Sequence, residues 1–300
     1  MEINTKIINT PPRSAATVVM LRDTDAGMEV FLLKRHDLSN VLGGAYVFPG
    51  GKVDPRDAEL DMESHLDQAQ ADLLGSLHET ELDAVTAASL YVAALREVFE
   101  ESGILFAHGA TLELATRAGA MLRAGHAFDA MLAQLALRLQ TRSIHPWSRW
   151  ITPKVPTMTN KRFDTRFFVS GFPFGQIARH DDYEATESVW ITPRAALQRY
   201  WAREIELAPP QIMSLAHLSH YRRVQDVLSA ARESRPPVIA PEPFQLDGSR
   251  VVCYPGDASH SVKARALPGP SRLIYRNQRF EPAGGFEALF TPTPKPFPDA

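Results

Sequence analysis

Three glutamates form a pattern that can do chemistry. Their spacing of i, i+3 and i+4 places the carboxylates of Glu97, Glu100 and Glu101 within about 100° of arc on one helical face. Like charges at this spacing repel each other, and a hard divalent cation with oxygen ligands, Mg²⁺ or Mn²⁺, would offset that repulsion. The other interpretation is a solvated acidic face on which Arg96 pairs with Glu100, four residues further on. Residue types and spacing alone leave both open.

A helix and a glycine-rich loop must position these groups. We predict a helix over residues 87–102, because its apolar side chains share one face and Gly103 follows as a left-handed C-terminal residue. The loop 43–51 ends in Gly50 and Gly51, and its glycines suit a close approach of the backbone. Loop carbonyl oxygens are then available as further cation ligands, with Arg96 beside the acids as an orienting cation.

The surrounding chain alternates between strand and helix patterns. Short aliphatic runs predict paired strands at 14–21 and 29–35, and further strands at 150–152, 166–169 and 188–191. Residues 110–140 and 193–197 are predicted helical, and 209–232 is predicted as one amphipathic helix. Twenty-three prolines crowd the last quarter, which predicts irregular structure there. The pattern is that of an α/β protein.

Two separated segments together resemble the Nudix box. The family pattern is Gly, five residues, Glu, seven residues, then Arg-Glu-apolar-x-Glu-Glu-x-Gly-apolar. The second half agrees with residues 96–104, REVFEESGI, at every defined position, and Gly51 begins the first half. The first half departs from the pattern, because Asp57 stands in place of the first glutamate and 38 residues separate it from Arg96. An insertion of 31 residues, at about 58–88, therefore splits the box.

A split box is similar to that of one branch of the family, the peroxisomal acyl-coenzyme A diphosphatases. The likeness is strongest over 15–57 and 92–106, and it is moderate after 235, where residues 254–257, YPGD, match a turn. The resemblance implies a Nudix α/β/α sandwich with a mixed sheet. It places one domain at 12–233, with helical insertions, and a proline-rich C-terminal extension at 234–300 packed on it.

The resemblance also implies roles. Glu97, Glu100 and Glu101 would hold Mg²⁺ or Mn²⁺, with help from the carbonyl of Gly51, and Glu100 would take part in catalysis. Arg96 would orient a glutamate in the reaction instead of touching the substrate.

A further acid from beyond the box serves many Nudix enzymes as general base or extra ligand. Glu184 and Glu187 are the candidates, and we prefer Glu187 because it directly precedes the predicted strand at 188–191. Each is otherwise an ordinary exposed loop acid. Asp57 is predicted to start a helix and is not expected to be a ligand.

Substrate contacts are predicted upstream of the box. Coenzyme A enzymes of the superfamily often carry an Arg before a Gly and Phe-Pro-Gly-Gly; here Gly44 and Phe48 fit, but Asn40 occupies the Arg position. Phe48 and Gly50 are the expected substrate contacts in this loop. Arg35 lies nearby and would serve a phosphate through forked contacts. The cations of residues 161–167 face substrate phosphates in one interpretation and solvent in the other. The three tryptophans Trp147, Trp150 and Trp190 are predicted as core or cleft walls.

The implied activity is metal-dependent hydrolysis of a pyrophosphate bond. Coenzyme A or acyl-coenzyme A is the first substrate, giving 4′-phosphopantetheine and adenosine 3′,5′-bisphosphate. ADP-ribose or a sugar nucleotide is the second possibility. A Nudix-fold sensor that binds nucleotide without cleaving it is the third.

Composition narrows the class of protein. The 300 residues carry 32 basic and 35 acidic side chains, and this balance argues against nucleic-acid binding by bulk charge. The single cysteine, Cys253, excludes an intramolecular disulfide and a cysteine-based zinc site. No uninterrupted apolar run suggests a signal peptide or membrane span. We expect a cytoplasmic enzyme with a small-molecule nucleotide or coenzyme A substrate and no nucleic-acid or membrane partner. A homodimer is one alternative for its assembly.

Overall fold

The computed structural model describes residues 6–36, 42–156, 161–181 and 184–291. The strands in these ranges are β1 (Arg13–Thr24), β2 (Gly27–Arg35), β3 (Tyr46–Val47), β4 (Gly50–Lys52), β5 (His145–Ile151), β6 (Phe163–Gly171), β7 (Ala185–Ile191), β8 (Val238–Ile239), β9 (Glu242–Leu246), β10 (Ser249–Cys253), β11 (Arg272–Arg276) and β12 (Arg279–Glu281). The α-helices are α1 (Pro55–Glu59), α2 (Met62–His65), α3 (Gln70–Leu77), α4 (Ala84–Ser102), α5 (Leu112–Arg123), α6 (Phe128–Gln134), α7 (Pro193–Trp201), α8 (Pro209–Leu218) and α9 (Val224–Glu233).

The main sheet is mixed, which confirms the predicted fold class. Its order is β3-β2-β1-β6-β5-β8, with β4 also pairing with β1 and β7 with β2. The β1–β6 and β5–β8 pairs are parallel, and the other pairs of this sheet are antiparallel. Helices cover both faces, so the sheet is the middle layer of an α/β/α sandwich.

Strand β1 shows why the sheet is buried on both sides. Side chains alternate along a strand, and here both sets are apolar. Val18 and Met20 belong to the core shared with α4, whereas Val19 and Leu21 belong to the core shared with α7 and α8. The continuous apolar run that predicted this strand therefore reflects two covered faces.

Helix α4 carries the acidic pattern and is three residues longer than predicted. It begins at Ala84 because the side chain of Asp83 caps it, accepting a hydrogen bond of 2.8 Å from the backbone N of Thr86. Gly103 ends it as predicted, in a left-handed conformation with φ of 70°.

The segment inserted in the box folds into short helices against α4. Leu66, Leu73 and Leu77 are buried in the α4 core, and the hydroxyls of Ser76 and Tyr91 are hydrogen-bonded at 2.5 Å. The inserted segment is therefore part of the domain core.

A group of ion pairs, here named the latch network, joins the end of the insertion to the sheet. Arg166 donates to both carboxylate oxygens of Glu79, and Arg149 donates to Asp164 through two nitrogens and to Glu81 through a third. Glu79 also pairs with Arg149 at 2.8 Å. The insertion thus has a fixed position relative to β5 and β6.

The helix predicted over 209–232 is two helices, so that prediction is wrong in its middle. Helix α8 ends at Leu218, and α9 begins at Val224 after Arg223, whose backbone is extended. The backbone N of Val224 donates to the carboxylate of Asp23, at the end of β1. The start of α9 is therefore stabilised by Asp23, 201 residues away in the sequence, and no local pattern reveals this contact.

The chain after residue 234 contributes to both sheets. β8 pairs with β5 at the edge of the main sheet, and β9 to β12 form a second, antiparallel sheet in the order β12-β11-β10-β9. Tyr254, Leu273 and Phe280 lie in the same buried cluster as Leu197 and Ile212 of α7 and α8. Within the described ranges, no helix has both the length and the hydropathy needed to span a bilayer.

Candidate active site

The two glycines of β4 stand between β1 and α4. Gly50 pairs with Thr17 and Gly51 with Ala16 across the antiparallel β1–β4 ladder. A Cβ at residue 50 would lie 2.6 Å from Cα of Thr17, and one at residue 51 would lie 2.5 Å from Oε1 of Glu97. Position 50 therefore excludes a side chain, because the contact is with backbone, whereas a side chain at position 51 would displace the carboxylate of Glu97. Gly51 thus brings backbone directly against a carboxylate of the acidic helix.

Glu101 is the most deeply placed of the three box glutamates. The residue is 5% exposed, and its Oε2 accepts a hydrogen bond of 2.8 Å from the backbone N of Gly50. Burial raises the pKa of Glu101 to about 8, against the lowering effect of the Gly50 hydrogen bond. This burial excludes the interpretation of the acidic pattern as a wholly solvated face.

Arg96 holds the acids in place. It donates through two nitrogens to the carboxylate of Asp57, and a third nitrogen donates to Glu97 at 2.9 Å and to Glu100 at 3.0 Å. The carbonyl of Lys52 accepts a further bond at 3.0 Å. The pair of Arg96 with Glu100 is the one expected for a solvated face, but here the same guanidinium also holds two other acids. Arg96 fixes the positions of two box glutamates.

Asp57 has two structural roles. Its carboxylate accepts a hydrogen bond of 2.7 Å from the backbone N of Asp54, within a capping box at the start of α1, and it also receives Arg96. The structure therefore places this acid at a helix start, and the side chain is buried. Sequence reasoning did not foresee that the same carboxylate would hold Arg96.

The local charge is an excess of acid. Burial raises the pKa of Glu97 to about 7 against the opposing effect of Arg96, and burial also raises the pKa of Glu100. The negative charge of Glu184 further raises the pKa of each of the three box glutamates. We name the set Asp57, Arg96, Glu97, Glu100 and Glu101 the box cluster. One arginine within it faces four carboxylates.

The donors of the box cluster fit a hard divalent cation. Among the described residues, no three acidic, histidine or cysteine side chains already stand together as a metal cage. The reason is that Glu97 and Glu100 are hydrogen-bonded to Arg96, while Glu101 is hydrogen-bonded to Gly50. The donors are nevertheless oxygens, and a cation would offset the charge that burial disfavours.

The structure brings Glu184, and not Glu187, toward the box cluster. Arg35 lies 3.7 Å from Glu184 and 4.0 Å from Glu101, joining the two. Glu187 lies within β7, opposite Lys34, and its side chain is hydrogen-bonded to the hydroxyl of Tyr46. The preference for Glu187 rested on its position before a strand, and the strand in fact begins at Ala185. Because the strand begins at Ala185, Glu187 lies inside it and Glu184 is the acid that directly precedes it.

A cleft of about 720 Å³ lies on the Glu97 side of the box cluster. Its wall includes the predicted residues Phe48, Gly50, Gly51, Arg35 and Lys161. Phe48 is buried and contacts Phe167 edge to face, with ring centroids 6.3 Å apart. Arg13, Lys52 and Gln211 also line the cleft. Sequence reasoning missed these three, and the position of Gln211 in the first turn of α8 carries no signal that could have found it.

Other predicted groups lie elsewhere. Arg166, within the predicted cationic stretch, is buried in the latch network and does not line the cleft. Trp147 and Trp150 are core residues, and Trp190 packs between Phe31 and Phe172. Asn40, at the signature position for arginine, lies outside the described residues.

Comparison with protein families and known proteins agrees with this geometry. A family model described as the NUDT19 Nudix domain matches residues 5–218. The acyl-coenzyme A diphosphatase NUDT19 of Xenopus laevis is 26% identical over 240 residues, which cover 66% of this chain and 62% of that protein. The putative nudix hydrolase 7 of Caenorhabditis elegans is 27% identical over 266 residues, covering 87% of this chain and 79% of that protein. The match thus spans less than two thirds of the frog protein.

A solved structure shares the fold. The crystal structure of a NUDIX hydrolase from Alicyclobacillus acidocaldarius matches with a TM-score of 0.59 and 29% sequence identity. The match covers 74% of this chain and 97% of that chain. The remainder of this chain therefore adds to an architecture that the bacterial protein already has.

Proposed function

The chain belongs to the Nudix hydrolases, in the family described as the NUDT19 Nudix domain, and on that premise we propose that it hydrolyses the pyrophosphate bond of coenzyme A and acyl-coenzyme A. The observation that carries this proposal is the box cluster, a buried excess of carboxylates against glycine backbone at the side of a cationic cleft. The frog and human relatives are named acyl-coenzyme A diphosphatases, which supports the choice of substrate.

A divalent cation, Mg²⁺ or Mn²⁺, would be held by Glu97, Glu100 and Glu101 with the carbonyl of Gly51. When bound, such an ion neutralises pyrophosphate charge and lowers the pKa of a bound water. The fold supplies the rest of this arrangement. Asp57 and the carbonyl of Lys52 hold Arg96, so that its remaining nitrogen orients Glu97 and Glu100.

The cleft would bind the phosphates of the substrate. Arg35, Lys52 and Lys161 line it, and forked contacts from the guanidinium of Arg35 suit a phosphate. Phe48 offers an apolar wall beside these cations. Because a nucleoside diphosphate combines several negative charges with an apolar base, this mixture of cations and aromatic surface matches it.

Glu100 is the box acid best placed to move a proton. Its side chain is 39% exposed, against 15% for Glu97 and 6% for Glu101. Burial raises its pKa above the usual value of a glutamate, against the lowering effect of Arg96. For the acid from outside the box, the geometry favours Glu184 over the sequence preference, Glu187. Arg96 would act as a positioning residue.

Product analysis tests the proposal. Purified protein with Mg²⁺ is offered coenzyme A, dodecanoyl-coenzyme A, ADP-ribose and a sugar nucleotide, and the products are identified by mass spectrometry. We expect 4′-phosphopantetheine or its acyl form together with adenosine 3′,5′-bisphosphate. Faster cleavage of ADP-ribose or the sugar nucleotide than of coenzyme A would show that the preferred substrate belongs to the second class. Tight binding of nucleotide without any cleavage would indicate a sensor.

A single substitution tests the role of the box cluster. Glu101→Gln should lower kcat for coenzyme A by about 10³-fold, or about 4 kcal/mol in the activation free energy, because a buried ligand oxygen is lost. Glu59→Gln changes an exposed glutamate of α1 and is the matched control. Unchanged turnover in Glu101→Gln would contradict the assignment of the cluster.

A further inference from the structure

A second cavity lies on the other side of the box cluster. It is a groove of about 1260 Å³ between α1, α4, α5, α6 and the segment 177–181, and Arg96 and Glu100 form part of its wall. Glu97 lines the cationic cleft instead. Among the described residues, the groove and the cleft share none of their lining residues. The box cluster therefore separates two cavities of different character.

The floor of the groove is apolar. Val92 and Phe99 of α4, Ala115 of α5 and Phe128 of α6 line it, with Leu60 at the end of α1. Drug-sized ligands occupy pockets of roughly 300–1,000 Å³, so this groove has room for a long substrate arm.

Apolar side chains also remain exposed at its rim. Leu112 is 42% exposed and Ile177 is 50% exposed, and both line the groove. They come from different parts of the chain, the start of α5 and the loop after β6. Exposed large apolar side chains that line one groove are suited to binding an apolar ligand.

The charges at the groove do not favour an anion. When Arg96 and its partner Asp57 are set aside, three arginines line it against three aspartates and Glu100. The arginines are Arg56, Arg123 and Arg179, and the aspartates are Asp54, Asp129 and Asp181. The cleft, in contrast, has four arginine and lysine side chains and two glutamates. An anionic arm therefore fits the cleft better, and a neutral arm fits the groove better.

From these observations we infer that the groove binds the acyl chain of an acyl-pantetheine arm while the cleft binds the nucleotide arm. The inference rests on the proposed function, because it needs a substrate with one polyanionic and one apolar end joined through a pyrophosphate. The pyrophosphate then lies at the box cluster between the two cavities. Helices α1, α5 and α6, the first at the start of the box insertion and the other two after the box, form this acyl subsite together with α4.

Gly119 of α5 allows a test that leaves the fold intact. A Cβ at this position would meet only Nη1 of Arg123 at 3.3 Å and Cζ of Phe99 at 4.0 Å. Neither contact is with backbone, and the residue lies within a helix, where glycine is less favourable than alanine or leucine. Gly119→Leu would fill the groove above Phe99, and Gly119→Ala is the matched control with one added methyl group.

The experiment measures kcat/KM with Mg²⁺ for coenzyme A, hexanoyl-coenzyme A and dodecanoyl-coenzyme A. We expect Gly119→Leu to lower kcat/KM for dodecanoyl-coenzyme A by at least tenfold and for coenzyme A by less than twofold. Gly119→Ala should lower the dodecanoyl value by less than threefold. Thermal unfolding of both variants confirms that they are folded.

A second pair of variants tests the rim. Leu112→Ser should lower kcat/KM for dodecanoyl-coenzyme A by about threefold, and Leu246→Ser, at an equally exposed leucine of β9, should leave it unchanged. If Gly119→Leu slows coenzyme A and dodecanoyl-coenzyme A equally, or slows neither, the acyl subsite is overturned while the proposed function stands. If the wild-type protein cleaves no coenzyme A ester, both are overturned.

Discussion

The molecule contains two groups of arginines and carboxylates, and they differ in charge balance. The latch network has two arginines for three acids, Glu79, Glu81 and Asp164. The box cluster has one arginine for four acids, and Glu184 adds its charge from nearby. Each group pins one end of the box insertion, through Asp57 at the start and Glu79 near the end.

The balance determines what each group can do. In the latch network, a hydrogen bond from Arg149 lowers the pKa of Glu81. In the box cluster, burial raises the pKa of Glu97 against the lowering effect of Arg96, and burial raises the pKa of Glu101 against the lowering effects of the Gly50 hydrogen bond and Arg35. A nearly neutralised network stabilises position, whereas an acid-rich cluster held by the fold is suited to a cation. The following predictions would break or sharpen this contrast.

The largest effect is expected in the latch network. Glu79→Gln should lower the free energy of unfolding by about 3 kcal/mol, because it removes the carboxylate that pairs with the buried guanidinium of Arg166 at two nitrogens and leaves Asp164 as its acidic partner. Urea denaturation measures this change. Glu81→Gln is the control, since Glu81 is 57% exposed and its pair with Arg149 contributes at most about 1 kcal/mol. Equal losses of unfolding free energy in Glu79→Gln and Glu81→Gln would contradict the claim that the buried pair stabilises the fold more than the exposed pair.

A smaller effect is expected at the holder of Arg96. Asp57→Asn should weaken the apparent affinity for Mg²⁺ by about 10–100-fold, because Arg96 would then pair more strongly with Glu97 and Glu100 and compete with the ion. Activity titrated against Mg²⁺ concentration gives this affinity. Asp61→Asn removes the negative charge of the residue that caps α2 and is the control for the loss of a carboxylate at a helix start. A loss of stability without any shift in the Mg²⁺ titration would leave Asp57 a purely structural residue.

The box cluster should also make metal-free stability depend on pH. The folded pKa of Glu101, about 8, lies above its unfolded value, so the folded state binds more protons between about pH 4.5 and 8. The stabilising effect is present at low pH and is lost as the pH rises through this range. We expect a decrease of about 2 kcal/mol from pH 5 to pH 8, measured by urea denaturation in EDTA.

Two comparisons isolate this dependence. Glu101→Gln should have a flatter profile and exceed the wild type in stability at pH 8. Added Mg²⁺ should stabilise the wild type at pH 8 and leave Glu101→Gln nearly unchanged. Parallel pH profiles for the two proteins would show that the carboxyl of Glu101 is not the source of the pH dependence of stability.

The smallest effect separates the two acids outside the box. Glu184→Gln should lower kcat by about tenfold, or about 1.4 kcal/mol, because Glu184 shares Arg35 with Glu101. Glu187→Gln should change kcat by less than twofold, because that side chain is hydrogen-bonded to Tyr46. The reverse order of effects would restore the preference derived from sequence.

Local patterns predicted much of this molecule. The paired strands before the box, the acidic helix and its ending at Gly103 followed from side-chain periodicity and residue type, and the mixed-sheet fold followed from the resemblance to a family. These features depend on residues within about a turn or a hairpin of one another. The break at 219–223 did not follow, because a partner on β1 holds the start of α9.

The sequence by itself determined that three carboxylates share one helical face. It also determined that two adjacent glycines offer backbone without side chains. Only the tertiary structure decided that Glu101 is buried on Gly50, that Asp57 holds Arg96 and that Glu184 faces the cluster. These contacts join residues 51 and 39 positions apart, and segments separated by the insertion. Spacing along a helix is a local property, whereas burial and charge balance depend on which distant segments pack against it.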